Sequence, residues 1–270
     1  MSINGIKQIG IIIGKQLIGH QPIFYYLMVA IRTENLTKVY IRKHLFSVKK
    51  TDALKNLNLE IEDRKVFGLL GLNGSGKTTL LKLLVGLLFP TKGSVYIFGQ
   101  EVPHLSLLSR IGYLPEFPCF LMYLTASELL HFYGKLYDFS TKKREKRVEE
   151  TLDFVDLKEN RNDRLADFSK GMLERVGMAQ VLLHDPELLL LDEPTSGLDP
   201  LGIKKMRQTI LRLKEEGKTI LLSSHFVTEV ERVCDQVGIL HKGKLKRVME
   251  MKGLEGRLED LFTDTVSEDV

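Results

Sequence analysis

"KVFGLLGLNGSGKTTLLKLLVGLL", Lys65–Leu88, is the stretch on which the fold turns. Its opening "KVFGLL" is a continuous apolar run, as expected of a strand buried on both faces rather than on one. "GLNGSGKTT", Gly71–Thr79, matches Gly-x-x-x-x-Gly-Lys-[Ser/Thr], and "TTLLKLLVGLL" has helical spacing that is predicted to stop at Phe89-Pro90. A buried strand, a glycine loop and a helix make one βα unit. The loop residues Gly71, Leu72, Asn73, Gly74, Ser75, Gly76, Lys77, Thr78 and Thr79 therefore form a phosphate cradle. Glycines let successive N–H groups turn inward around phosphate oxygens, and the helix N-terminus adds partial positive charge. Lys77 reaches the β- and γ-phosphates, and the Thr78 hydroxyl is a ligand for Mg²⁺.

Around this unit, 270 residues with 43% hydrophobic and 27% charged content suit one large α/β domain, or a core domain with a small subdomain. The net charge of +4 comes from 39 basic and 35 acidic residues, too even a balance to argue for nucleic-acid binding. Cys119 and Cys234 lie far apart without metal-like spacing, which fits a reduced compartment better than a disulfide framework. In the first thirty residues "IGIII" and "IFYYLMVAI" are apolar, but Lys15, His20, Gln21 and Pro22 interrupt them. Neither run approaches the ~18 residues of a membrane span, and no signal-peptide cleavage pattern follows. The segment reads either as an interfacial anchor or as an extension irrelevant to function, since Met28 directly precedes "VAIRTENLTKVY", a natural domain start.

"IRTENLTKVY" and "LKNLNLEIED" have the period-two pattern of half-buried strands, and "TKGSVYIFG" reads as a turn and strand. From about Pro118 the strand signals fade, and "ASELLHFYGKLY", "KKREKRVEETLDFVDL" and "DFSKGMLERVGMAQ" read as successive helices. The basic run "KKREKR" is interleaved with Glu145 and followed by Glu149 and Glu150, which marks a solvated helix face rather than a nucleic-acid patch. The last of these helices has Ser169 as N-cap and Leu173, Val176 and Met178 to face a core. Its Lys170 and Gly171 are unusual, because a structural first turn favours Asp, Glu or Ala. "DQVGILHKGKLKRVM" reads as a hairpin turning at Lys242-Gly243, and the acidic tail that follows is too short for a second domain.

Two further apolar strands end in chemistry. "LLLLDEP" terminates in Asp192 and Glu193. Neighbouring strand residues point to opposite faces, but at a strand's end both can lean toward one bound nucleotide. Beside a phosphate loop, Asp192 is then a Mg²⁺ ligand through water and Glu193 the general base that polarises the attacking water. "LLSSH" delivers His225 to the same carboxyl edge of the sheet, in reach of a γ-phosphate.

The order of "LTKVY", the phosphate loop, "IGYLPE", "FSKGM", "LLLLDEP", "SGLD" and "SSH" closely resembles the ATP-binding cassette (ABC) family over Ile31 to about Val248. The resemblance implies an α/β phosphate-loop NTPase core with a mainly parallel sheet, an antiparallel β subdomain and a helical subdomain at about 118–182. The ATPase domain would then occupy 31–248, with 1–30 an N-terminal extension and 249–270 a short C-terminal tail. It also implies that Tyr40 stacks on adenine, although the bare sequence shows only an aromatic after a strand. By the same resemblance ATP lies in a head-to-tail dimer, between the phosphate loop of one copy and the "FSKGM" segment of a second copy or a homologous ATPase subunit. Ser169 and Gly171 then meet the γ-phosphate of the opposite ATP, Lys170 adds charge nearby, and Ser196–Asp199 runs along the dimer seam.

Two spellings depart from the commonest family pattern. Leu-Ser-Gly-Gly-Gln is here Phe168-Ser169-Lys170-Gly171-Met172, and the glutamine after "GYLP" is Glu116. Glu116 can still offer oxygen to Mg²⁺ or its water, with a charge that an amide lacks. Both spellings look like those in ATP-binding subunits of bacterial efflux systems whose membrane domain is a separate chain. The expectation is an ATPase at the cytoplasmic face of the membrane, driving a separate transmembrane permease, with export favoured over import and no nucleic-acid partner. The rival readings are a soluble ATPase switch on ribosomes or DNA and an inactive scaffold. The interval from Lys77 to Asp192 is too short for the long coiled-coil arm of DNA-acting relatives.

Overall fold

The computed structural model describes residues 17–18, 21–22, 29–44, 47–254 and 256–267. The expected anchor or extension at 1–30 falls almost wholly outside them. Only the two-residue antiparallel ladder of β1 (Leu17–Ile18) and β2 (Gln21–Pro22), and the start of β3 at Val29, are described there. Among the described residues no helix is long and apolar enough to cross a membrane.

The strand predicted from "KVFGLL" is β5 (Val66–Leu70), and all five residues are buried. It sits inside a six-stranded sheet ordered β12-β11-β5-β10-β9-β8. In that sheet β8 (Ile111–Leu114), β9 (Leu188–Leu191), β10 (Thr219–Ser224), β5 and β11 (Gln236–His241) are parallel. β12 (Lys244–Glu250) closes one edge antiparallel through the turn at Lys242-Gly243. Period-two alternation splits each central strand between two cores: Val66 and Leu70 enter one, Phe67 and Leu69 the other, and Leu189 and Leu191 part from Leu188 and Leu190 in the same way. A run apolar at every position is what such double burial requires.

The long β3 (Val29–His44) and β4 (Ser47–Glu62), with β6 (Lys92–Ile97) and β7 (Gln100–Glu101), form a separate antiparallel sheet ordered β4-β3-β6-β7. Its inner face, with Ile31, Leu57, Ile61 and Val95, shares a core with Leu80, Leu81 and Leu84 of α1 (Lys77–Leu84). That helix ends well before the predicted stop at Phe89-Pro90. Gly86 takes φ 73°, and its N–H and that of Leu88 return to the carbonyls of Leu83 and Lys82, so a left-handed glycine closes the helix before the proline can. The short α2 (Leu105–Leu108) leads into β8.

Between β8 and β9 lie α3 (Ala126–Leu136), α4 (Thr141–Phe154) and α5 (Lys170–Leu182), as the sequence predicts. Thr125 and Glu128 form a reciprocal capping box on α3, and the Ser140 hydroxyl caps α4. The basic run on α4 is only partly a solvated face. Arg147 donates to the carbonyls of Leu182 and Leu183 at 2.7 and 3.0 Å, tying α4 to the end of α5. The remaining helices are α6 (Pro200–Glu215), α7 (Val227–Val233) and α8 (Leu258–Ser267). The acidic tail is thus largely a helix, whose buried Leu258 joins the core beside Val233 and Val237.

Candidate nucleotide site

Gly71 leaves the carboxyl end of β5 with its N–H on the Ser224 carbonyl of the neighbouring β10 at 3.2 Å. The loop then turns into α1 through Gly76, whose φ of 115° is closed to other residues; a Cβ there would also strike the Ala53 carbonyl. A turn distant in sequence holds this loop in place. The Gly243 N–H, at the β11–β12 turn, donates to the Ser75 carbonyl at 2.9 Å, and the Gly243 carbonyl accepts from the Lys55 N–H at 2.8 Å.

The parallel strands bring the predicted carboxylates and histidine to this loop. Lys77 Nζ donates to the Gly71 carbonyl at 2.6 Å and lies 3.0 Å from Glu193 Oε1; both side chains are only 6% exposed. That Glu193 oxygen is close to the ammonium without hydrogen-bond geometry, so the contact is ionic. Glu193 Oε2 is 2.8 Å from His225 Nδ1. A carboxylate only accepts, which puts the ring proton on Nδ1. Behind them Asp192 Oδ1 accepts from Thr78 at 3.2 Å and from Ser223 Oγ at 2.7 Å.

Asp192 and Glu193 follow β9 directly, so an extended backbone would send them to opposite faces. Glu193 instead has φ 51°, a left-handed conformation that few non-glycine residues adopt. Its N–H is held by Ser223 Oγ at 2.9 Å, so one hydroxyl fixes the Asp192 carboxylate and the backbone that carries Glu193.

Burial pushes the Asp192 carboxyl above the usual carboxylate range, opposed by the hydrogen bonds from Ser223 and Thr78. Asp192 Oδ2 is buried with no hydrogen-bond partner among the described residues. A hard, unpaired oxygen beside the Thr78 hydroxyl fits Mg²⁺, which needs few protein ligands when phosphates supply the rest. Tyr113, on β8, has its phenol pushed up by burial and by the nearby Asp192 charge.

Tyr40, Asn73, Gly74, Lys77, Thr78, Thr79, Glu116 and Glu193 line one cleft of about 440 Å³. The Tyr40 hydroxyl is 3.4 Å from Thr79 Oγ1, which sets this ring, on β3 of the antiparallel sheet, beside the start of α1.

Ser169, Lys170, Gly171 and Asp199 do not line that cleft. Ser169 caps α5, its Oγ accepting from the Met172 N–H at 3.3 Å, and a Cβ on Gly171 would meet only Leu198, at 3.9 Å. Asp199 caps α6, its Oδ1 accepting from the Gly202 N–H at 2.7 Å. The Lys170 ammonium folds back over Gly197 of its own chain, at φ 65°, where any Cβ would collide with it. Within one copy the two halves of the expected site are therefore separate surfaces.

Sequence reasoning overlooked Ser223 and Glu174. Ser223 is one of two serines in a buried strand, and nothing in the string marks which faces Asp192. Glu174, four residues after Lys170, passes for an ordinary i,i+4 surface pair, yet it is only 5% exposed. Burial, aided by the Glu116 charge and opposed by Lys170, raises its pKa to about 7.

Comparison with known proteins points to one family. Residues 54–196 match the ABC transporter family model. An uncharacterised ABC transporter ATP-binding protein of Synechocystis is 43% identical over 80% of this chain, which spans 61% of that relative's length. The bacitracin transport ATP-binding protein BcrA of Bacillus licheniformis is 42% identical, over 84% of this chain and 72% of the relative. Among solved structures, a dimeric post-hydrolysis state of the ATP-binding cassette MJ0796 bound to ADP and Pi aligns with TM-score 0.73 and 28% identity. That alignment covers 83% of this chain and 99% of the other.

Proposed function

The chain belongs to the ABC transporter family, and from that premise we propose that it is an ATP-hydrolysing nucleotide-binding subunit driving a separate transmembrane permease from the cytoplasmic face of the membrane. Two copies, or this chain and a homologous ATPase subunit, close head to tail over ATP. The observation that carries the reading is the contiguous set Lys77, Glu193 and His225, with Asp192 and Thr78 immediately behind it.

Adenine stacks on Tyr40, the phosphates lie along Gly71–Thr79, and Lys77 balances charge on the β- and γ-phosphates. Glu193 takes the proton of the water that attacks the γ-phosphorus, as the bond to the ADP oxygen breaks. His225 holds that carboxylate in place through Nδ1. Thr78, Asp192 and Glu116 are the residues suited to Mg²⁺, which when bound offsets phosphate charge. Ser169 and Gly171 of the opposing subunit complete the site at the γ-phosphate, through a helix N-terminus.

Export, rather than import, is favoured by the "FSKGM" and "GYLPE" spellings, and a relative named for bacitracin transport is in keeping with a transport role. The test is Mg²⁺-dependent ATP hydrolysis by the purified chain, alone and with its permease, against Glu193→Gln. A loss of at least about 100-fold is expected, the scale of a general base. Absence of turnover in both preparations, or turnover indifferent to Glu193→Gln, would refute the assignment. Recovery with ribosomes or DNA, and never with a membrane protein, would replace the permease with a soluble partner.

A further inference from the structure

Lys170, Glu174, Gly177 and Val181 recur at i, i+4, i+7 and i+11, one face of α5. This face is pressed against β8 and the segment after it. A Cβ on Gly177 would collide with Leu114 and touch Phe120 and Pro118, while Val181 fills the space over Gly112. Among the stripe's members in that seam, Glu174 alone carries a charge and is buried. The charges acting on it are Lys170, one helical turn toward the tip, and Glu116, on the loop after β8. No side-chain hydrogen bond stabilises Glu174 among those the structure gives, so as a packing element an apolar residue would serve better. Beyond Lys170 the line continues to Gly197, on which the ammonium rests.

We infer that Glu174 is a positioning residue for the "FSKGM" tip: its carboxylate draws Lys170 back onto Gly197 and so sets the tip and the Ser196–Asp199 loop as one surface. This deepens the ATPase reading and rests on it. Glu174 does not touch nucleotide. It acts through Lys170, while Glu116, whose charge also bears on Glu174, lines the nucleotide cleft. In the commonest family spelling Gly stands at the position of Lys170, where there is no ammonium to be placed. Lys170 and Glu174 stand one turn apart on this face and are coupled through space rather than by a direct ion pair.

A double-mutant cycle tests this. Glu174→Gln keeps the shape and removes the charge, and Lys170→Met keeps most of the length and removes the ammonium. Each alone is expected to lower kcat about fivefold with little change in the KM for ATP, the size of a coupling between close charges. The double variant is expected to be no slower than either single one. Glu174→Gln is also expected to raise the melting temperature at pH 8, because the buried charge is gone. A structural role predicts the reverse, a lower melting temperature and a loss that multiplies with Lys170→Met. Multiplying effects, or a kcat indifferent to Glu174→Gln, would overturn the inference while leaving the ATPase assignment standing. A wild-type chain without ATPase activity would instead remove the assignment, and with it the inference.

Discussion

The Lys77 ammonium is paired with Glu193, 3.0 Å from its Oε1, within the cleft that the phosphate loop opens. The residue assigned to phosphate and the residue assigned to water thus hold each other. On the proposed roles, a triphosphate would compete for Lys77 and, on succeeding, would free the carboxylate to act as base. In the proposed function, phosphate binding and activation of the base are then one exchange of partners.

The exchange makes Glu193→Gln informative beyond turnover. With the competing charge gone, ATP is expected to bind several-fold more tightly, since a close ion pair is worth on the order of 1 kcal/mol or more in such a setting. Equilibrium binding of a fluorescent ATP analogue measures this. Weaker binding would mean that the pair pre-organises Lys77 rather than withholding it.

Ser223→Ala should impair the site without touching a ligand. The hydroxyl donates to Asp192 and accepts from the Glu193 N–H, so its removal loosens the Asp192 carboxylate and the backbone turn that carries Glu193. Loss of such a supporting contact is expected to lower metal affinity or activity by about 10- to 100-fold. A Mg²⁺ titration of ATPase rate should show the midpoint rising, with the fold intact by circular dichroism.

Ser169→Arg should separate the two halves of the site. Ser169 is exposed at the tip of α5 and lies outside the cleft that holds Lys77. The variant monomer should still bind ATP, whereas ATP-driven dimerisation, followed by sedimentation, and hydrolysis should both be abolished. Unchanged turnover would reduce Ser169 to a helix cap.

Glu174 gives stability a definite slope with pH. Its folded pKa of about 7 lies above the ordinary 4.5, so the folded state keeps a proton that the unfolded chain has lost. Stability is therefore unaffected by this group below about pH 4.5 and falls between there and 7. The loss amounts to about 3 kcal/mol at the plateau above, before relaxation reduces it. Chemical denaturation of Glu174→Gln should show a flatter profile across that window than the wild type. Parallel profiles would mean that Glu174 ionises in the folded protein as freely as in water.

The elements of the nucleotide site were legible because their chemistry is local in sequence. Gly71–Thr79 specify their own loop, and five consecutive buried residues in β5 could only be a central strand. Asp192 and Glu193 were recognised as a pair, but not the left-handed turn at Glu193 that brings them together, because φ is imposed by Ser223 from another strand. The end of α1 was misplaced because proline is the louder signal, while Gly86 acts first. Glu174 and the seat of Lys170 on Gly197 depend on which face of α5 meets β8, a tertiary fact that no periodicity in α5 alone reveals. The match of the ABC transporter family model to residues 54–196 fits the family order read from the sequence.

The hydrogen bond from the Gly243 N–H to the Ser75 carbonyl spans most of the chain. On the ribosome, every residue of the phosphate loop is made well before the turn that clasps it. A nascent chain lacking the β11–β12 hairpin has the whole loop sequence without its brace. The order of translation thus places the bracing of the phosphate loop after the making of the loop itself, as a contact of long sequence separation that local folding cannot supply.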